Sequence, residues 1–313
     1  TDGGCPVLLT EPQSTNIITN SNDMLASNWS QTTATVTLSS NINPFGNPQC
    51  YRVERVGSGL QLGGVTVATI GEEYTYSIYL RKISGSGVVN MKDVNNSVQQ
   101  VTVTDEWQRY TASAEANSAS GRYYLTLGSD GDVIEASFAQ LEELSYATSL
   151  IPTYGEVRTR LQDSVSGAGT SSDFNGEEGV LFAEVSTLTN EAVNKRIALS
   201  DGTNNNRIVI TLSGGNVSVL VRVNNVTEVT TTSFALGDIT DLNKIALKYK
   251  ENDFALWVNG VEVRTDNSGL TFPINTLTEL NLTDGGAGSN LFGKTSQVQV
   301  FKTALSDFEL TQL

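Results

Sequence analysis

Histidine is absent from this 313-residue sequence. Imidazole is the usual general base beside a serine or cysteine nucleophile, and it is a common nitrogen ligand of zinc. The absence therefore excludes Ser-His-Asp and Cys-His catalysis, imidazole zinc sites and imidazole base chemistry. Carboxylates remain as the only candidate catalytic groups.

Cysteine is also scarce, with only Cys5 and Cys50 in the chain. Two cysteines in so long a sequence form neither a disulfide framework nor a metal cluster. They allow one bridge between them or two free thiols that pack as small apolar side chains, and we favour the free thiols.

The sequence has no long apolar run and no excess of basic residues. No stretch approaches the roughly 18 apolar residues of a membrane-spanning helix, so we expect no membrane insertion. Lysine and arginine number 19 against 34 aspartates and glutamates, which gives a net charge of −15 without acidic blocks. Such a field repels phosphate, so nucleic acid is excluded as the main ligand. The opening TDGGCPVLLT has neither an initiator Met nor a leader, and we expect a processed product or a fragment.

The pattern that the sequence does contain is that of β-strands. Short segments alternate apolar and polar residues and are separated by clusters of Gly, Asn, Asp and Ser. Roughly sixteen such segments occur, about twice the number in one jelly roll or immunoglobulin-type sandwich. Helical periodicity is confined to scraps such as the terminal SDFELTQL. The sequence predicts an all-β fold with two β-sandwich (jelly-roll) domains in tandem.

A domain boundary is predicted near the middle of the chain. FAQLEEL has the pattern of a final strand, and SLIPTYGEVRTRLQDSVSGAGTSSDF follows it with Pro152, several Gly and Ser residues and little periodicity. This composition is typical of an interdomain linker. We predict a first domain over residues 1–160, a linker within about 152–172 and a second domain over 173–313.

Ordered motifs in each half resemble known families. LLTEPQSTNIITNSND, YTYSIYLRK, WQRYTAS and AQLEELSYATSLIPTYGEVRTR, between Leu8 and Arg160, are similar to the carbohydrate-binding-module-type jelly roll of tailed-bacteriophage tail fibre and adhesion proteins. DFNGEEGVLFAEV, RIALSDGTNNNRIVI, DLNKIALKYKENDFALWVNGVEV and LFGKTSQVQVFKTALSDFEL, between Asp173 and Leu313, resemble the laminin-G-like, concanavalin-A-type lectin sandwich of such proteins. The NG of the third motif independently indicates a hairpin turn.

The paired resemblance implies a non-enzymatic module of a phage virion, a tail fibre or adhesin that faces outward. Its partners would be host-surface polysaccharide or glycan and other virion tail proteins, and a homotrimer is compatible with the resemblance. Two alternatives stay open at this point. One is a structural spacer or decoration without a specific ligand, and the other is a polysaccharide depolymerase or its accessory part.

Strand alternation predicts a binding patch in the first domain. In YTYSIYLRK the apolar positions face the core, so Tyr79 and Arg81 point to the opposite face. In WQRYTASA the same rule places Trp107 and Arg109 opposite the core. If both strands share a sheet, the four side chains offer rings for sugar C–H faces and guanidinium donors for hydroxyls or carboxylates. The alternative is that Trp107 covers the core edge and the arginines pair with nearby acids.

The acidic segment DGDVIE has a superficial similarity to the carboxylate strand of concanavalin-type glycosidases. Those enzymes need two carboxylates at a fixed separation across the scissile bond. Here Asp130, Asp132 and Glu135 fall in the first domain rather than in the lectin-like one, and Asp-Gly is a common turn dipeptide. We interpret the segment as a solvated turn and expect no catalytic residues.

The resemblance suggests one cofactor, a structural calcium ion. Jelly-roll modules of this type often hold a structural calcium between the first and last strands. The resemblance therefore points to Asn22 or Asp23 together with Asp130 or Asp132, since calcium takes carboxylate and amide oxygens. The alternative is that these residues only form turns and caps.

Two loops of the second domain are rich in Asn, Asp and Gly, namely Ser200 to Arg207 and Thr283 to Asn290. They could present hydrogen-bonding groups at a sandwich rim, and the simpler interpretation is that they are hairpin loops.

Overall fold

The chain folds into two β-sandwiches. The computed structural model describes residues 6–286 and 288–313, so Cys5 lies outside the described residues. Strands account for 47% of the chain and helix for 1%, which confirms the all-β fold with tandem sandwiches. We call Gln13–Leu161 the inserted sandwich, and residues up to Pro12 together with Gln162–Leu313 the split sandwich.

The strands up to the end of the inserted sandwich are β1 (Leu8–Thr10), β2 (Ser14–Asn16), β3 (Ala34–Leu38), β4 (Tyr51–Arg55), β5 (Leu62–Val67), β6 (Glu73–Ser84), β7 (Val88–Lys92), β8 (Val98–Thr102), β9 (Gln108–Glu115), β10 (Ser120–Leu127), β11 (Val133–Glu142) and β12 (Arg158–Arg160). The elements that follow are β13 (Glu178–Thr187), β14 (Lys195–Ser200), β15 (Arg207–Ser213), β16 (Asn216–Val223), β17 (Val226–Thr230), β18 (Phe234–Ala235), β19 (Asn243–Lys250), β20 (Phe254–Val258), β21 (Val261–Asp266), β22 (Glu279–Asn281), β23 (Gly293–Phe301) and the helix α1 (Asp307–Leu310).

The inserted sandwich packs a four-stranded sheet, in the order β5-β10-β7-β8, against a five-stranded sheet, in the order β3-β4-β11-β6-β9. A small pair, β12-β2, completes it. The period of two along β6 directs one face into the shared core, as predicted, and the core residues of that strand are Tyr74, Tyr76, Ile78 and Leu80. Its other face is left for polar and aromatic side chains.

The split sandwich places a six-stranded sheet, in the order β1-β23-β13-β19-β20-β21, across its core from a sheet in the order β17-β16-β15-β14-β22, with β18 beside β16. The predicted NG hairpin joins β20 and β21, where Asn259 and Gly260 both have positive φ. The helix α1 forms in the terminal segment SDFELTQL, where helical periodicity was predicted, and a capping box of Ser306 and Glu309 stabilises its start. No helix in the described ranges is long and apolar enough to cross a membrane.

The two units divide between Leu161 and Gln162, inside the predicted linker range of 152–172, but the residues before Gln13 group with the second unit and not with the first, as a first domain over 1–160 would require. Strand β1 pairs with β23, with Leu9 opposite Lys294, so the first residues belong to the split sandwich. Short parts of the expected linker pair with other segments. Thr153 is fully buried, β12 pairs with β2, and Ala168 forms a bridge with Leu280. A short extended segment satisfies its backbone hydrogen bonds by pairing, although it has no periodic pattern of its own.

Cys50 is a buried free thiol that donates to the carbonyl of Asn41 at 3.3 Å. Burial raises the pKa of this thiol, and the charge of Glu135 raises it further, so it stays protonated at neutral pH. The question of a bridge to Cys5 lies outside the described residues.

The two ends of the insertion are held together by Glu11 and Asp163. The Glu11 amide donates to the Asp163 carboxylate at 2.8 Å, and the Asp163 amide donates to the Glu11 carbonyl at 2.9 Å. We predict that replacing residues 13–161 by a short Gly-Ser linker leaves a folded split sandwich. A fragment that starts at Gln162 lacks β1 and should be less stable by about 2–3 kcal/mol, at about 1 kcal/mol for each lost hydrogen bond. Urea unfolding followed by circular dichroism measures the difference, and equal midpoints would contradict the role assigned to β1.

Candidate functional site

The outer face of the five-stranded sheet brings the four predicted residues together. In the register of β6 and β9, Tyr79 lies opposite Arg109, which confirms that these strands share a sheet. The Arg109 guanidinium lies 5.7 Å from the centroid of the Tyr79 ring, and that of Arg81 lies 5.1 Å from the Trp107 ring. These are cation–π distances. We call Tyr79, Arg81, Trp107 and Arg109 the stacked patch.

A buried carboxylate fixes one half of this patch. Glu135 is 2% exposed and lies opposite Arg81 in the register of β11 and β6. Both Nε and Nη2 of Arg81 lie 2.7 Å from Glu135 Oε2. The hydroxyl of Ser39 and the amide of Asn41 also donate to Glu135. Burial raises the pKa of Glu135, but these donors and the charge of Arg81 outweigh it, so the net pKa is lowered.

These contacts correct the interpretation of DGDVIE as a solvated turn. Asp130 does lie in an exposed turn, whereas Glu135 is a buried strand residue that positions Arg81 and, through it, Trp107. The alternative of arginines paired with acids therefore holds for Arg81. The reason the sequence misleads here is that β11 is buried on both faces, so its polar residues do not mark a solvent side.

Arg109 differs from Arg81 because it has no acidic partner among the described residues. Its Nη2 donates to Ser77 Oγ at 2.8 Å, and its Nη1 donates to the carbonyl of Thr148 at 2.5 Å. Trp107 is held in a similar way, since its indole N–H donates to the carbonyl of Ile42 at 3.2 Å. Within the described residues, the stacked patch thus carries one arginine, Arg109, without a carboxylate ion-pair partner.

Aromatic contacts continue from the patch toward a cleft. The half-exposed ring of Phe45 meets Tyr79 edge-on at 5.3 Å and Phe138 at 5.1 Å. Phe138 has a positive φ of 47° at a bulge in β11, where the register with β6 shifts between Ser137 and Gln140. A bulge redirects a side chain that strict alternation would place elsewhere. No sequence pattern marks either phenylalanine as a site residue.

The cleft beside Phe138 has a volume of about 620 Å³. We call it the amide cleft, because Asn and Gln side chains and two tyrosines form much of its wall. Its lining residues are Asn22, Leu38, Asn43, Asn47, Pro48, Gln49, Tyr51, Phe138 and Tyr154. Amide groups supply both donors and acceptors, and Tyr154 exposes 63% of its surface. Together with the patch, the cleft offers rings and hydrogen-bonding groups along one continuous surface.

The candidate calcium residues are divided between two places. Asp23 accepts a hydrogen bond from the hydroxyl of Tyr51 at 3.2 Å, and its neighbour Asn22 lines the amide cleft. Tyr51 is the first residue of β4, whereas Arg55 is the last and adjoins the other pair. Four residue steps along a strand separate these ends by about 13 Å.

The second pair of candidates already has protein partners. Asp132 accepts from the amide and hydroxyl of Ser86 and from the amide of Ser129, and Asp130 pairs with Arg55 at 2.9 Å. No group of three or more metal-ligating His, Cys, Asp or Glu side chains occurs in the described part of the chain. The residues present do not fit a shared calcium site, and capping and ion pairing account for them.

The two loops singled out in the second domain meet in the split sandwich. The first joins the paired strands β14 and β15, so it is a hairpin loop. Arg207, at its end, donates to the side chain of Asn204 in the same loop and to the carbonyl of Asp284 in the other. A Cβ on Gly286 would stand only 2.6 Å from Asn204, which shows how closely the loops pack.

No protein-family model and no curated protein sequence matches the chain. Among solved structures, it is similar to the CBM40 module of the Ruminococcus gnavus IT-sialidase bound to α2,3 sialyllactose, at 17% identity, a TM-score of 0.37 and coverage of 47% of this chain and 92% of the module. It is also similar to the CBM22-1 xylan-binding domain of Paenibacillus barcinonensis Xyn10C, at 15% identity, a TM-score of 0.30 and coverage of 45% and 97%. A leech intramolecular trans-sialidase aligns at 17% identity and a TM-score of 0.37, over 44% of this chain and only 23% of the enzyme.

The lowered pKa of Glu135 predicts a pH-dependent stability. Because the folded pKa lies below the ordinary value of 4.5, the stabilisation is fully present above about pH 4.5 and is lost as pH falls through the folded pKa. Glu135→Gln should destabilise the inserted sandwich by about 3 kcal/mol at neutral pH, since it leaves Arg81 without its charge partner. The difference from the unmodified protein should shrink as the pH falls below that value.

Urea unfolding between pH 3 and 7, followed by tryptophan fluorescence, measures this effect. Glu106→Gln, which removes an exposed carboxylate next to Trp107, is the matched control and should change little. A Glu135→Gln penalty that stays constant across the range would contradict the assigned ion pair.

Proposed function

We propose that the chain is a carbohydrate-binding component of a phage tail fibre or adhesin, and that the inserted sandwich binds host-surface polysaccharide on the outer face of its five-stranded sheet. The observation that carries the proposal is the continuity of the stacked patch, the Phe45 and Phe138 rings and the amide cleft. Sugar recognition needs aromatic faces for C–H groups beside directional donors and acceptors for hydroxyls, and this surface supplies both. The phage origin rests on the resemblance of the sequence motifs.

The rigidity of the patch supports a binding function. Arg81 is held by Glu135, Arg109 is held by Ser77 and Thr148, and each guanidinium lies against a ring. Side chains that are already ordered lose little conformational entropy when a ligand arrives. The charge of Arg109 favours glycans with carboxylate groups, although the chain as a whole is acidic.

A single shallow surface of this size binds a polysaccharide weakly. Attachment of a virion would therefore depend on several copies that engage one cell surface together, which raises the apparent affinity without new contacts. A homotrimer within the tail, beside other virion proteins, is an arrangement that would supply those copies on an outward-facing particle.

Substitution of the rings tests the proposed site. Tyr79→Ala and Trp107→Ala should each weaken binding of the full chain to purified host-surface polysaccharide by about fivefold or more, because a stacking ring contributes on the order of 1 kcal/mol in addition to its buried area. Calorimetry or biolayer interferometry gives the dissociation constants, and circular dichroism verifies folding.

Tyr124→Ala is the matched control for these variants. Its ring also lies against a cation, Lys92 at 5.9 Å, but on the four-stranded sheet of the same sandwich. It should bind as the unmodified protein does. Unchanged binding by folded Tyr79→Ala and Trp107→Ala variants would exclude the stacked patch, and absence of binding by the unmodified chain would favour a structural spacer.

We predict no glycoside cleavage by this chain. A glycosidase needs a carboxylic acid with a raised pKa to protonate the leaving group, whereas the pKa of Glu135 is lowered and its oxygens are occupied by three side chains. Incubation with host polysaccharide should release no reducing ends. Turnover that disappears in a folded Glu135→Gln variant would overturn this prediction and favour a depolymerase.

A further inference from the structure

Three arginines lie on the outer face of the sheet β17-β16-β15-β14-β22 in the split sandwich. Arg207 and Arg222 are directly opposite each other in the register of β15 and β16. Arg196 lies on the neighbouring strand β14. The loop after β22 folds over this face, and its Asp284 carboxylate oxygen Oδ2 lies 3.7 Å from Nη1 of both Arg196 and Arg207.

The charges of this cluster do not balance. Asp284 is the only carboxylate paired with the three arginines within residues 6–286 and 288–313, and it also accepts the amides of Gly286 and Gly288. Glu279, one strand beyond β14, accepts from Asn281 instead. Like charges directly opposite each other on adjacent strands are destabilising. The three arginines and Asp284 together therefore keep an excess of positive charge.

The three arginines also have hydrogen-bond donors without acceptors. The Nε groups of Arg196, Arg207 and Arg222 are buried, and none has a hydrogen-bond partner among the described residues. The side chain of Arg207 is only 8% exposed. Burial lowers the pKa of Arg207, and although Asp284 raises it, the charges of Arg222 and Arg196 lower it again. Buried donors without acceptors are costly, so the protein itself leaves these three guanidinium groups under-compensated, and a ligand would have to bind them through their exposed nitrogens.

We propose that Arg196, Arg207 and Arg222 form a binding site for an oxyanion, the carboxylate or sulfate group of an acidic ligand. The guanidinium fork matches the oxygen geometry of such groups, which is why arginine recognises them in preference to lysine. Arg196, with a side chain that is 25% exposed, and the partly exposed Arg222 give the ligand access. This site goes beyond the carbohydrate surface proposed for the inserted sandwich and does not depend on it.

Arg222→Gln in the full chain is the decisive variant, because the described structure gives the Arg222 side chain no hydrogen bond and no ion pair, so the change removes none. Without ligand, its stability should be equal to or slightly above that of the unmodified protein, since repulsion from Arg207 is relieved. Its affinity for the probe should fall at least tenfold. Arg122→Gln, an exposed arginine of the inserted sandwich, should change neither property.

The probes are D-glucuronate and inorganic sulfate, titrated separately by calorimetry at low ionic strength, with methyl β-D-glucoside as the neutral control. Binding of glucuronate alone identifies a carboxylate site, and binding of sulfate alone or of both identifies a general oxyanion site. The proposal is overturned if neither anion binds, or if Arg222→Gln binds them as tightly as the unmodified protein does. Loss of stability of ligand-free Arg222→Gln would assign Arg222 a structural role and would also overturn it. Binding of neutral polysaccharide should be unaffected by Arg222→Gln, so failure here is distinguishable from failure of the stacked patch.

Discussion

The ion pair between Glu135 and Arg81 organises the outer face of the inserted sandwich. A carboxylate that is nearly inaccessible to water must have its lone pairs satisfied, and it recruits Ser39, Asn41 and Arg81 from different parts of the chain. The same contacts tie the loop after β3 to β11 and β6. That loop carries Phe45, which contacts Tyr79, and the carbonyl of Ile42, which accepts the indole N–H of Trp107, so both contacts with the patch depend on the same buried charge.

At the other end of β11, buried polar side chains are covered by the segment that follows the strand. Gln140 and Glu142 are fully buried, and the segment that follows the strand folds back to meet them. The amide of Ile151 donates to Gln140, and the amide of Thr148 and the hydroxyl of Ser14 donate to Glu142. Because the protein itself satisfies these polar groups, Gln140 and Glu142 are not available to a ligand. The stacked patch and the amide cleft lie outside this covered end.

Both sandwiches concentrate arginine on an outer sheet face of a chain whose net charge is −15. On the inserted sandwich the guanidinium groups are backed by rings and by Glu135, so they are ordered and only partly neutralised. On the split sandwich they face one another around a single aspartate. In an acidic protein, such local positive surfaces are the places where a negatively charged ligand meets the least repulsion.

The sequence by itself determined the elements and their faces. An alternation of apolar and polar residues determines which side of β6 faces the core. Asn259 and Gly260 form the hairpin turn because both residues accept a positive φ. The capping box of Ser306 and Glu309 sets the start of α1. These signals are local, and they suffice to predict that Tyr79, Arg81, Trp107 and Arg109 avoid the core. Partner strands are not a local property. The pairing of β1 with β23 joins Thr10 to a carbonyl 281 residues away, and nothing in a three-residue strand specifies which sheet edge it will complete. The tertiary structure alone decided the insertion of one sandwich into the other, the bulge that places Phe138 beside Phe45, the burial of Glu135 and the meeting of three arginines, because each depends on register between segments distant in sequence.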